Sequence, residues 1–397
     1  MASRDKTHAP VGAAATAGRP FVVALGVFVC WKLLLVVAGY FAPYKFHLGL
    51  NDPWSRVATS ELLKHTYKFD AKWYGDIAAG GYAFDKSAPA FYPLFPLLVA
   101  TFTRITHDAV MAAFVINGIA ALAAFYLLYR LALDYLKQPD AAAYALLLFA
   151  FFPTAYFLHV MYSEAVFCAL TLGAFVAASR RQWLLANVCV ALTTATRLPG
   201  LVVGAGILVS YLQSIEYNPR KITRSACWFL LAPLGIVAYA IHLKMVTGDA
   251  FAMFNVYKFE EWAYERLNLN IPSAAIAEAR LIAGQLVHRP AGWQVRFFDH
   301  VLPFACWLWL GLCTVWGLIK RMPHGYVVLM AGSFALFGAH TVFTATDRYL
   351  MAVFPAFLLG AAWLQSRSEW LRMLVLAGSA MAMTLLYALF VNGIWTA

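Results

Sequence analysis

Runs of about twenty apolar residues separated by short polar breaks dominate the chain, and a run of that length is what an α-helix needs to cross the hydrocarbon core of a bilayer. Candidate spans lie near 21–41, 109–129, 140–158, 161–179, 182–196, 198–213, 226–246, 301–319, 325–343, 349–366 and 371–392. The pattern predicts an all-α, polytopic membrane bundle of about eleven transmembrane helices. Residues 1–20 read as a cytoplasmic tail and 21–397 as a single transmembrane domain. The first apolar run is too long for the core of a signal peptide and has no clear small-residue cleavage site, so it reads as an uncleaved span.

Basic residues then orient the spans. Arg4, Lys6 and Arg19, Arg130 and Lys137, Arg180 and Arg181, Arg220, Lys221 and Arg224, Lys320 and Arg321, and Arg367 and Arg372 fall in alternate loops, which places them together on the cytoplasmic side. This holds only if the apolar stretch 91–106, with Pro93 and Pro96 near its start, lies in the outer interface rather than crossing. The outer side then receives two long loops, 42–108 and 247–300, and tight turns near 159–161, 197 and 344–348.

Composition agrees with this reading. Apolar residues make up 62% of the 397 positions and charged residues 12%, where soluble domains carry about 25% charged residues; mean hydropathy is +0.68. The net charge of +11 sits in short pairs beside apolar runs, as topology signals do, and not on a phosphate-binding face, so nucleic acid is not an expected partner. Cys30, Cys168, Cys189, Cys227, Cys306 and Cys313 lie in or beside apolar runs without CxxC spacing and read as small buried hydrophobes.

The ionisable residues near membrane depth that are not topology signals, Asp70, Asp76, His159, Glu164, Arg197, Asp347 and Arg348, fall on the outer side. Charges at such depth are costly, and a polar site on that face explains several at once, although loop-end solvation explains any one alone. The densest block runs from Lys68 through Asp70, Lys72, Trp73, Tyr74 and Asp76 to Tyr82 and is followed by Tyr92. Carboxylates interleaved with Trp and Tyr suit a sugar, since aromatic faces cover the apolar side of a pyranose while a carboxylate takes a hydroxyl proton. The plainer alternative is an aromatic belt at the membrane interface.

This block resembles the first external loop of the PIG-V family of lipid-linked mannosyltransferases, in which a Trp-Asp pair precedes Ile-Ala-x-x-Gly-Tyr and then Ala-Phe-Phe-Pro-x-Phe-Pro. Three further stretches match in order: Pro153-Thr154-Ala155 through Tyr162-Ser163-Glu164, Ala195-Thr196-Arg197 with Gly200, and Asp347-Arg348-Tyr349 with Pro355. The likeness runs from about residue 21 to 366. It departs where the family's Trp is Phe69, which keeps a ring and loses an indole N–H. The resemblance implies the GT-C class of glycosyltransferases, with a polyprenyl-phosphate sugar, expected to be a mannose, as donor and a lipid-linked or glycan acceptor at the exoplasmic face. Compact length and Ala-rich spans favour a prokaryotic plasma membrane, the endoplasmic reticulum being the counterpart in a eukaryote.

With that donor, Asp70 is expected to be the general base of an inverting transfer, and Arg197 to clamp the phosphate, its alternative being a snorkelling interfacial charge. Arg348 carries the same two readings, with Asp347 beside it as a loop ion-pair partner. Glu164 is expected to orient the sugar, balance Arg197 or cap its helix, and Tyr162 to join the substrate site. His159 could join a divalent metal with Glu164 and Asp70, but it has no HExxH, paired-His or Cys-rich spacing around it, so a metal is possible and unsupported. Lys32, in mid-span, calls for a buried carboxylate or for outward snorkelling. Phe259–Arg266 is a candidate lid or acceptor surface, and an aromatic anchor is the alternative. There is no Gly-rich phosphate loop and no Asp-x-Asp, which disfavours a nucleotide-sugar donor. A secondary transporter or flippase, expected to show repeats and midplane charges, and a non-catalytic assembly subunit are the competing classes.

Overall fold

A backbone in hydrocarbon must satisfy its own N–H and C=O groups, and helices do so within one segment. The computed structural model describes residues 12–45, 63–259, 267–288, 293–340, 343 and 345–395. Its helices are α1 (Gly12–Lys45), α2 (Ala71–Gly80), α3 (Leu94–Thr106), α4 (Ala109–Leu136), α5 (Pro139–Ala150), α6 (Glu164–Ser179), α7 (Trp183–Thr194), α8 (Gly200–Ser214), α9 (Leu234–Thr247), α10 (Ala252–Asn255), α11 (Ile271–His288), α12 (Trp293–Ile319), α13 (His324–Gly338), α14 (Thr346–Leu350), α15 (Pro355–Gln365) and α16 (Glu369–Val391). Short 3-10 segments at Lys64–Thr66, Ala155–Leu158 and Arg224–Leu231 punctuate them. Among the described residues the sole β-type pairing is an isolated bridge between Leu267 and His340.

Five described segments are long and apolar enough to cross a membrane: Arg19–Ala42, Ala109–Leu136, Arg224–Thr247, Asp299–Ile319 and Glu369–Val391. The other apolar helices are shorter than the runs that predicted them. α5 stops at Ala150, and Pro153 lies just beyond it; Pro199 precedes α8. A proline has no N–H to donate and biases the preceding residue away from helix, which a hydropathy window does not weigh. The shortened helices leave non-helical or short-helical backbone at the turns 151–163, 195–199 and 345–354, and those turns carry the polar residues.

The two ends of the bundle differ in kind. α6 starts at Glu164 and ends just before Arg180, α7 starts two residues after Arg181 and ends three before Arg197, and α15 lies between Arg348 and Arg367, so the basic pairs and the site residues flank opposite ends of the same helices. α3 has both its ends at the site end. Its first N–H, at Leu94, donates to the Ala195 carbonyl beyond α7 at 2.9 Å. Its last turn leads through His107, in the left-handed region at φ 56, to Asp108, whose carboxylate caps α4 through Val110 and Met111. Eight residues into α4, Asn117 donates to the carbonyls of Val160 and Tyr162 at 2.5 and 3.0 Å, which fixes that end of α4 beside the turn before α6. α3 therefore lies across the end of the bundle and does not cross it.

Lys32 follows neither sequence expectation. Its ammonium turns inward, 3.9 Å from the Phe114 ring centroid, with no ion-pair partner among the described residues; the face of the ring takes the place of a carboxylate.

Candidate functional site

Four buried charges from four segments meet at one end of the bundle. Arg348, in the short helix α14, donates from Nη1 to Asp70 Oδ2 at 3.0 Å, and its Nε lies 3.5 Å from Glu164 Oε1. The same Glu164 oxygen pairs with Arg197 Nη1. Two carboxylates and two guanidiniums cancel in charge, and burial keeps them coupled: the side chains of Arg348, Glu164 and Arg197 are 7, 3 and 12% exposed, and that of Asp70 is 21% exposed. Removing one member of such a set strands its partner, at a cost of about 3–5 kcal/mol. The expected loop ion pair between Asp347 and Arg348 is not what forms. The Arg348 side chain reaches across to α2 and α6, while the Asp347 carboxylate is fully buried and its carbonyl accepts from Thr154 Oγ1 at 3.1 Å.

Asp70 is held by its backbone. Phe69, the residue before it, sits in the left-handed region at φ 51, a strained position for a bulky side chain, and is kept there by packing of its ring on Phe390 and Trp395 at 5.4 and 5.1 Å. The Tyr162 hydroxyl donates to the Lys68 carbonyl at 3.3 Å and accepts from the Asp70 N–H at 3.0 Å. Met161 N donates to the Thr66 carbonyl at 3.2 Å, so the loop before α2 is tied to the turn before α6 at three points. Asp70 stands at the start of α2 without capping it, leaving its carboxylate to the site. Burial pushes its pKa above the ordinary carboxylate value, and Arg348 pulls the other way without prevailing.

The helical period explains which residues of the aromatic block reach the site. From Asp70, Tyr74 comes back to nearly the same face after one turn, and its hydroxyl shares a hydrogen bond with Ser163 Oγ at 2.9 Å. Lys72 and Asp76 project to the other side and face each other at 4.0 Å with about half of each side chain exposed. Trp73 stacks on Phe91 at 5.4 Å. Tyr82 donates to the Phe91 carbonyl at 2.8 Å. His159 lies apart from the four charges, buried among Trp31, His65, Phe114 and Tyr387. Lys72, Trp73, Asp76, Tyr82 and His159, expected at the substrate, are thus placed outside the chamber that Asp70, Arg197 and Arg348 border.

That chamber has a volume of about 110 Å³ and is lined by Asp70, Tyr74, Tyr92, Arg197 and Arg348, together with Thr196, Tyr257, His340 and Tyr349. Glu164 sits behind the two arginines, and Tyr162 lies beneath Asp70. Beside it, across the wall formed by 91–94 and 195–197, runs an apolar groove of about 490 Å³ lined by α2, α3 and α9, with Tyr82, Tyr239 and His242 in its walls. Sequence reading missed Tyr349 and Trp395. Tyr349 lies 4.4 Å from the Arg197 guanidinium, and Trp395 lies 5.4 Å from that of Arg348, where a π-face stabilises a desolvated cation. Tyr349 follows Arg348 directly and was within reach of the motif; no local signal singles out Trp395. Of the lid candidate Phe259–Arg266, all but Phe259 lies outside the described residues, while α11 forms after it and is pinned to α12 by Glu278 and His300 at 2.6 Å. Among the described residues no three His, Cys, Asp or Glu side chains converge in a way that would hold a metal ion.

Comparison with known proteins puts this geometry in context. The crystal structure of ArnT from Cupriavidus metallidurans bound to undecaprenyl phosphate has the same fold, with a TM-score of 0.53 at 13% identity over 96% of this chain and 77% of that one. GPI alpha-1,6-mannosyltransferase 2 of Cricetulus griseus is 26% identical over 231 residues, which are 54% of this chain and 44% of the relative; the match spans less than half the length of that protein. The profile of the family described as Mannosyltransferase (PIG-V) matches residues 31–273, a stretch that contains Asp70, Glu164 and Arg197 and ends before Arg348. Since that stretch is more than half of the chain, the protein belongs to the mannosyltransferase (PIG-V) family.

Proposed function

We propose that the chain is an integral membrane glycosyltransferase of the GT-C type. It moves a hexose, mannose by family, from a polyprenyl-phosphate sugar to a lipid-linked or glycan acceptor at the exoplasmic end of the bundle, opposite the basic pairs. The observation that carries this reading is the joint placement of one carboxylate and two arginines on a chamber that borders an apolar groove at the end of a membrane bundle. Ionisable residues gathered at one end suit a lipid-phosphate donor better than a transport path, which needs them near the midplane.

In this mechanism an acceptor hydroxyl attacks the anomeric carbon while its proton passes to an Asp70 carboxylate oxygen. The bond from that carbon to the phosphate oxygen breaks, and the electron pair leaves on the phosphate. The leaving group gains one negative charge as Asp70 loses one, so the site keeps its overall charge while Arg197 and Arg348 hold the phosphate. Glu164 keeps both guanidiniums in place. In the free protein Asp70 is tied to Arg348, and a donor phosphate that competes for Arg348 releases the carboxylate to act as a base. At about 110 Å³ the chamber is below the roughly 300 Å³ of ordinary ligand sites, so donor entry has to widen it.

The test is transfer of radiolabelled mannose from synthetic polyprenyl-phosphate mannose to a membrane lipid extract, with Asp70→Asn compared at matched folded levels. Transfer by the wild type that falls about 10²–10⁴-fold in the variant is the expected result. Equal transfer by both removes Asp70 from the chemistry, and no transfer by either with several donors overturns the enzyme reading.

A further inference from the structure

We propose that the groove between the start of α7 and the 3-10 segment Arg224–Leu231, at the basic end of the bundle, is a binding site for an anionic phospholipid. The groove has a volume of about 580 Å³, within the range of ordinary ligand sites, and it lies at the opposite end of α7 from Arg197. Its polarity is graded. Arg181, Gln182 and Ser225 line one part; Leu184, Leu185 and Val188 descend along α7 from there, and Trp183 and Trp228 complete the walls. From Arg181 to Val188 the helix advances about 10 Å towards the membrane interior, so the charged part meets the headgroup level and the aliphatic part meets the start of an acyl chain.

The charge at the headgroup end has no internal partner. Arg180, Arg181 and Arg224 are exposed, and none of them makes an ion pair among the described residues, whereas nearby Lys221 is paired with Glu216 at 2.7 Å. Gln182 makes no capping bond to the first turn of α7, which leaves N–H groups there for an acceptor as well. Topology alone accounts for basic residues on this face. It does not account for an amphipathic groove, lined by Arg181 and by Ser225 next to Arg224, whose lining contains no carboxylate. A phospholipid with a net negative headgroup satisfies the arginines and covers the partly exposed Leu184, Leu185, Val188 and Trp228 in one molecule.

The test follows the thermal unfolding midpoint of the purified full chain in neutral detergent during titration with dioctanoyl phosphatidylglycerol, dioctanoyl phosphatidylcholine or inorganic phosphate. Phosphatidylglycerol is expected to raise the midpoint, less so as salt is added. The double variant Arg181→Gln/Arg224→Gln is expected to need roughly ten- to thirtyfold more of it for the same rise. Arg367→Gln, on the same face outside the groove, is expected to respond as wild type does. Val188→Trp, which fills the aliphatic part and leaves both arginines, is expected to weaken the response too. The proposal is overturned if phosphatidylcholine acts equally, if inorganic phosphate alone acts as well as the lipid, if the double variant responds as wild type does, if Arg367→Gln loses as much, or if Val188→Trp loses nothing. None of these readouts depends on glycosyl transfer, so they stand apart from the enzyme assay.

Discussion

Tyr162 shows how a residue that does not line the chamber controls one that does. Its hydroxyl sits between the Lys68 carbonyl and the Asp70 N–H, immediately behind a strained Phe69. Tyr162→Phe keeps the packing and removes both bonds. We expect it to cost about 1 kcal/mol in unfolding free energy and to lower kcat about tenfold with little change in donor KM, since Asp70 is displaced while Arg197 and Arg348 remain. Transfer kinetics beside a thermal melt separate the two effects, and an unchanged kcat would show that the loop holds itself. Asp347 gives a second prediction at this scale. Burial raises its pKa to about 7 from about 3.9 in the unfolded chain. The folded state then holds the proton longer, and stability falls as pH rises from about 4 to about 7, by at most about 1.4 kcal/mol per pH unit. Asp347→Asn removes that dependence, so the midpoints of wild type and variant should diverge over this window and run parallel above it.

At the scale of elements, the bundle depends on close approaches as much as on hydrophobicity. Gly235, in the first turn of α9, lies so near α7 that a Cβ there would run into the Ala191 carbonyl oxygen and the Thr194 hydroxyl, and Thr194 Oγ1 donates across to the Ala232 carbonyl at 3.2 Å. Small residues bring helices together in this way in a membrane, where hydrophobicity alone drives no association between them. Gly235→Ala should therefore destabilise the protein by about 1–3 kcal/mol and push α9 from α7 beside the apolar groove; a melt unchanged in detergent would contradict the contact. Hydropathy located most of these elements. It overran the ends of α5 and α8, where a proline lay at the site side, because a window averages transfer energies and ignores the missing N–H at Pro153 and Pro199.

For the whole molecule the separation of charges predicts a labelling pattern. In a chain without its six native cysteines, Asp76→Cys and Arg181→Cys should react with a membrane-impermeant maleimide from opposite sides, the second only after permeabilisation; reaction from the same side would refute the arrangement of the bundle. Much of this architecture was written locally. Apolar run length, the alternation of basic loops and the turn signals around α3 act through transfer energy and backbone hydrogen bonding, which each segment feels by itself. Asp70, Glu164, Arg197 and Arg348 were visible as costly charges and as motif residues for the same reason. The pairing among them was not. Arg348 stands beside Asp347 in sequence and pairs with Asp70, far away along the chain, because the direction of a side chain and the dielectric around it are set by which helices pack together. The same holds for Trp395 against Arg348 and for Lys32 over Phe114. Composition and spacing determined that charges would be placed at one end of a membrane bundle. Only tertiary packing decided which of them share a chamber, since that depends on distances between segments that no local energy encodes.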